Sequence, residues 1–165
     1  MWPATVAELQ PEKGTPTMSK PETKSSEDAN RYCHSIVDEV QALEELVADD
    51  ELFDDDLGDH LRELWTELAE SVGEEPSRYE PSVYDYVNLY CLELTTLGER
   101  SNATNEWDVV GVRLLRTYGG PNAFIEWNDS DYIVVRVYWG SEFAEARLFA
   151  PSIAAVFEEM ANTES

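Results

Sequence analysis

The hydrophobic period of this chain changes twice, and that pattern limits its folds more than any motif does. From about residue 27 to residue 90 the apolar residues recur at helical spacing, from Trp107 to Phe149 they alternate, and from Pro151 the helical spacing returns. Such a chain folds as α+β, with N-terminal helices, then an antiparallel β-sheet, then a C-terminal helix packed on it.

Residues 1–26 hold Pro3, Pro11, Pro16 and Pro21 among polar residues with no apolar period, which predicts a disordered tail. Met18-Ser19-Lys20 reads as an alternative translation start within it. Residues 27–165 then form one domain, acidic and helical over 27–80, sheet plus helix over 81–165.

The first helix is expected from about Glu27 to Ala48, capped by Ser25 or Ser26. Cys33, Ile36, Val37, Val40, Leu43 and Val47 form its buried side, and Asp38, Glu39, Glu44, Glu45 and Asp49 point away. Asp54–Asp56 cap a second helix that Gly73 stops. Ser82 caps a third, which runs to about Tyr90 before CLELTTLG continues as a strand. WDVVGVRLLRTYGG, FIEW and YIVVRVYW are strands, with Ile133, Val135, Val137 and Trp139 on one face and NDSD as a hairpin loop. EARLF adds a short edge strand, and Ile153, Val156, Phe157 and Met160 mark the last helix.

The second helix carries the most unusual feature. Asp56, Asp59, Glu63, Glu67, Glu70 and Glu74 fall within roughly an 80° arc, in a row about 27 Å long. Leu57, Leu61, Leu64, Trp65, Leu68 and Val72 form a separate apolar stripe about 130° away. Five successive like-charge pairs disfavour the helix by about 1–2.5 kcal/mol. A row kept against that cost has a use, or the whole surface obeys another demand.

The net charge of −24 argues against direct binding to nucleic acid or to anionic membranes, which both need Lys and Arg to neutralise phosphate. Residues 27–80 carry nineteen acids against three arginines, so two-thirds of the net charge lies in one-third of the chain. No apolar run is long enough to span a bilayer, and the N-terminus lacks the pattern of a signal peptide. The expected compartment is the cytoplasm, where Cys33 and Cys91 are core thiols and the sequons at Asn102 and Asn128 have no meaning.

Chemical motifs are absent. Gly119-Gly120-Pro121-Asn122 lacks a Walker lysine and a following helix, so it reads as a tight turn between strands. If Gly58 took the sixth position of a calcium loop, Phe53 would take the first, where it offers no ligand. His34 and His60 sit on helices with no nucleophile signature near them. No pair of carboxylates stands out for acid–base work. The chain is therefore read as no enzyme, with no metal site and no cofactor. Trp107, Tyr118, Phe124, Trp127, Tyr132, Tyr138 and Trp139 lack the basic groove of a base-stacking platform and are assigned to the core of the sheet.

Gly119–Asn122, the later Tyr138-Trp139-Gly140 and the helical run from Ile153 to Met160 together resemble a module of small proteins from phages and other mobile elements. Where that module has an acidic or polar residue after its first strand, Trp127-Asn128 stands here. The resemblance transfers no activity; it implies a mobile-element origin. Small acidic proteins of that origin include anti-CRISPR and anti-restriction inhibitors that act as DNA mimics. The expectation is a non-catalytic inhibitor that occupies the basic DNA-binding surface of a host defence complex, a CRISPR surveillance complex in preference to a restriction enzyme. Its partner-binding residues would be Asp56, Asp59, Glu63, Glu67, Glu70 and Glu74, extended by Asp49, Asp50, Asp54 and Asp55. The alternatives are salt adaptation in a halophile, which fits the three lysines all lying before residue 25, or a general acidic interaction module.

Overall fold

The computed structural model describes residues 24–49 and 57–163. The elements run α1 (Lys24–Ala48), α2 (Asp59–Val72), a short 3-10 turn (Pro76–Arg78), α3 (Val83–Tyr90), β1 (Glu93–Arg100), β2 (Trp107–Thr117), β3 (Asn122–Trp127), β4 (Tyr132–Trp139), β5 (Glu142–Phe149) and α4 (Pro151–Thr163). The fold is α+β, as the two changes of period require. The five strands form an antiparallel meander in the order β1-β2-β3-β4-β5.

Alternation gives the sheet one dry face. Val112 and Leu114 from β2, Ala123 and Ile125 from β3, and Ile133, Val135 and Val137 from β4 are all buried there. α1 lies against β4 and β5, and α4 against β2 and β4. Ala144, small and buried on β5, leaves room for α1, and the Cys33 thiol approaches the Val135 carbonyl oxygen at 3.7 Å. Trp139 meets Tyr32 of α1 edge-on, with ring centroids 6.3 Å apart. Gly111 is fixed by crowding, since a Cβ there would lie 2.3 Å from the Trp127 carbonyl oxygen. β5 is a full eight-residue strand rather than a short one.

Several expectations need correction. α1 begins at Lys24, so Ser25 and Ser26 lie inside it rather than capping it. α2 begins at Asp59 with Gly58 as its N-cap and no side-chain cap bond; Asp54–Asp56, assigned to that role, lie outside the described residues. Glu39 and Glu44 do not simply point away from the core. Each is half-buried and answers a polar group that the fold brings to it. Glu44 accepts the backbone N–H groups of Ser152 (3.0 Å) and Ile153 (2.9 Å), capping the first turn of α4 from another element. Glu39 accepts two bonds from Arg116 Nη2, both 3.0 Å, and one from the Tyr86 hydroxyl at 2.6 Å.

The aromatic residues assigned to the sheet core are mostly elsewhere. Trp127 is buried and Trp139 half-buried, but Trp107, Tyr118, Tyr132 and Tyr138 are exposed, and Phe124 is half-buried. Parity explains it on β4. Tyr132 and Tyr138 share the face of Val134 and Arg136, opposite Ile133, Val135 and Val137. On that outer face Phe124 and Tyr138 pack edge-to-face, as do Tyr132 and Phe149.

Two predictions follow from these junctions. Glu44→Ala leaves two amides of α4 without their acceptor and is expected to lower unfolding stability by about 1–3 kcal/mol in a urea titration. An unchanged midpoint would show that water replaces the carboxylate without loss. Burial, and then Glu39, push the Tyr86 phenol well above its ordinary value; burial and the bond to Asp85 push Tyr79 up as well. Raised phenol values give stability that is whole below about pH 10 and is lost as pH climbs toward the folded values. The urea midpoint should therefore fall above about pH 10, and absorbance at alkaline pH should show buried phenols ionising only as the protein unfolds.

Candidate functional site: the acidic ridge of α2

α2 is positioned by its apolar stripe. Leu64, Leu68 and Ala69 are buried, with Leu57 buried just before the helix. Trp65 donates from Nε1 to the Pro76 carbonyl at 3.1 Å, tying the helix to the turn that follows it. Gly73, at φ 77°, closes the helix; its N–H reaches the Glu70 carbonyl while that of Glu74 reaches Ala69. Val72, placed in the apolar stripe by its spacing, is 45% exposed because the helix ends there.

Asp59, Glu63, Glu67 and Glu70 are all exposed on α2 and span about 16 Å of its axis. Among the described residues, the side chains of Asp59, Glu63, Glu70 and Glu74 have no hydrogen bond or ion pair. Glu67 accepts a bond from the Tyr90 hydroxyl, which fixes its side chain against α3. Glu74 is exposed but lies past Gly73, so it stands beyond the helix rather than in its row. Asp49 is exposed just after the end of α1. Asp50, Asp54, Asp55 and Asp56 lie outside the described residues. The row seen on α2 is thus four carboxylates long, shorter than the spacing alone predicts.

The structure adds residues that one-helix reasoning missed. α1 lies beside α2 across an open groove lined by Asp38, Gln41, Glu45, His60 and Leu61. Asp38 and Glu45 are exposed and broaden the negative ridge on a second helix. A second cleft brings Glu39, His60, Glu63, Glu67 and Tyr90 together. Glu39 is committed there to Arg116 and Tyr86, and Glu67 to Tyr90, so Glu63 is its uncommitted carboxylate. Helix adjacency is a tertiary fact; the sequence signal was the outward set on α1, which was not tied to α2.

Nucleophile chemistry finds little support in the thiols. Burial, followed by the charge of Glu145, raises the Cys33 thiol above its ordinary value. Burial pushes Cys91 up to about 12, with Arg116 pulling it down and Glu39 pushing it further up. Both therefore remain protonated at neutral pH. No group of three or more His, Cys, Asp or Glu among the described residues could hold a metal ion. Among those residues, no helix is long and apolar enough to cross a membrane.

Comparison with protein-family models, curated proteins and solved structures returned no significant match to this chain.

The ridge works against its own helix, and this is measurable. Glu63 sits four residues from both Asp59 and Glu67. Glu63→Gln removes both like-charge pairs and is expected to stabilise the protein by about 0.4–1 kcal/mol at low salt. The gain should shrink in molar KCl, where the Debye length is about 3 Å. A urea titration at two salt concentrations checks both; a loss of stability would mean that Glu63 has a favourable structural role.

Proposed function

We propose that this chain is a non-catalytic inhibitor whose α1–α2 face mimics nucleic acid and occupies the basic DNA-binding surface of a partner. The observation that carries this reading is the exposure of Asp59, Glu63, Glu67 and Glu70 on one ridge, beside Asp38 and Glu45 of the neighbouring helix. The chain has no lysine after Lys24 with which to neutralise that ridge. Duplex DNA carries one charge per roughly 1.7 Å of axis, and its binders answer it with long basic channels. Carboxylates fixed on a packed helix meet such a channel without first being ordered, and their field raises the association rate. The partner class is a basic DNA-binding protein. Within that class, a CRISPR surveillance complex is preferred, on the resemblance to mobile-element proteins.

The test is target-DNA binding by purified surveillance complexes with and without the protein, alongside the Glu63→Gln/Glu67→Gln/Glu70→Gln variant. The protein is expected to block DNA binding, and the triple variant to need about tenfold or more protein for the same block, equivalent to about 1.4 kcal/mol. DNA binding that is untouched at large excess across several complexes rejects this target.

One observation favours a second reading, salt adaptation. Exposed acids also occur far from the ridge, at Glu99, Glu106, Asp108, Asp129, Glu158 and Glu159. A melting curve that holds only in molar KCl would move the assignment to that reading.

A further inference from the structure

We infer that β5 is an interface at which a second copy of this chain pairs edge to edge in antiparallel register, joining two five-stranded sheets into one. Among the described residues, β5 has a strand neighbour on one side only, β4, and pairs with it regularly over all eight residues. Unpaired strand edges invite another chain, and proteins usually blunt them with bulges, lysines or proline. The opposite edge is blunted, with a register shift between Leu97 and Gly98 on β1. β5, reading EFAEARLF, has no bulge, no lysine, no proline and no glycine.

Its outer face carries Phe143, Glu145, Arg147 and Phe149 in that order. The order is its own complement when reversed. Antiparallel pairing about a two-fold axis at Ala146 sets Phe143 beside Phe149 and Glu145 beside Arg147, twice over. On the inner face it sets Ala144 beside Leu148. Shifting the register by two residues in either direction sets Glu145 against Glu145 or Arg147 against Arg147, so charge selects one alignment. Phe143 is 52% exposed and Phe149 61% exposed, so both are open to such a neighbour. Glu145 is held by Arg136 Nε at 2.7 Å, and the Arg147 guanidinium lies over the Tyr132 ring at 4.1 Å, which keeps both charges at the outer face.

The occupant is a second copy because the edge is self-complementary. A molecule of net charge −24 repels its copies over most of its surface. Between Phe143 and Phe149 this strand presents one positive and one negative charge, placed to meet their opposites in register. The interface is isologous, and its axis runs perpendicular to the sheet, so both helical layers lie on the same side.

The test is sedimentation velocity of the full chain from low to several hundred micromolar, at low and moderate KCl. A concentration-dependent dimer is expected, and it should strengthen as salt screens the net charge. Arg147→Glu should weaken it at least tenfold. The swap Glu145→Arg/Arg147→Glu should restore self-association but not mix with wild type, as read by native mass spectrometry. Ala146→Cys, which faces itself across the axis, should give a covalent dimer on diamide oxidation while wild type does not. This readout stands even if a charge variant fails to fold, which a thermal melt will show. A chain that stays monomeric at the highest concentration overturns the inference. So does a dimer indifferent to Arg147→Glu and not captured through Cys at position 146.

Discussion

Arg116 projects from β2 onto the face of the sheet that the helices cover, with its side chain only 16% exposed. A guanidinium in that position needs a counter-charge and hydrogen-bond acceptors, or the packing around it fails. Glu39 of α1 supplies both carboxylate oxygens, the Tyr90 carbonyl accepts from Nη1 at 3.0 Å, and the Tyr90 ring lies 4.1 Å beneath the cation. Tyr86 closes the network by donating to the same Glu39. One ion pair thereby joins α1, α3 and the sheet. The Tyr90 hydroxyl carries the connection to Glu67 on α2. The acidic ridge is tied to this junction through that bond, in addition to its own buried apolar stripe.

The two faces of the sheet solve different problems. The inner face is apolar and covered by helices. The outer face carries a ladder in which Arg113, Glu126, Arg136 and Glu145 alternate in sign across four strands. Glu126 is 1% exposed and lies between two guanidiniums, with Arg113 Nε at 2.5 Å and Arg136 on its other oxygen. Such a buried carboxylate is tolerated because both its oxygens are answered. Arginines held on this face are unavailable to neutralise the helical side. The charge asymmetry of the molecule is built into the strand pairing, not only into composition.

That division gives the proposed activity its physical form. A mimic of DNA needs fixed negative charge on a rigid support and few cations nearby. α1 and α2 provide the support and the charge, while Arg113 and Arg136 are engaged on the opposite face of the sheet and Arg116 is paired with Glu39. The β5 edge is a separate surface with no further strand beside it among the described residues, and its use does not require the ridge.

Periodicity alone determined much of this. The helices, the strands, the Ser82 cap, the Gly73 stop and the α+β class all rest on local rules, in which spacing, caps and turn residues act within a few positions. The exposed carboxylates Asp59, Glu63, Glu67 and Glu70 were legible for the same reason, since 3.6 residues per turn fixes which side chains share a face. Other features depended on distance in space. Glu44 and Glu39 read as outward charges until α4 and β2 brought them an amide pair and a guanidinium. The aromatic residues of the β half read as core until strand parity and the one-sided helix layer set most of them outside. The ridge grew by Asp38 and Glu45 once α1 lay beside α2. Sequence determined which faces exist, because side-chain direction is a local property of the backbone. Tertiary structure decided what each face meets, because a polar group's partner is chosen by packing between elements far apart in the chain.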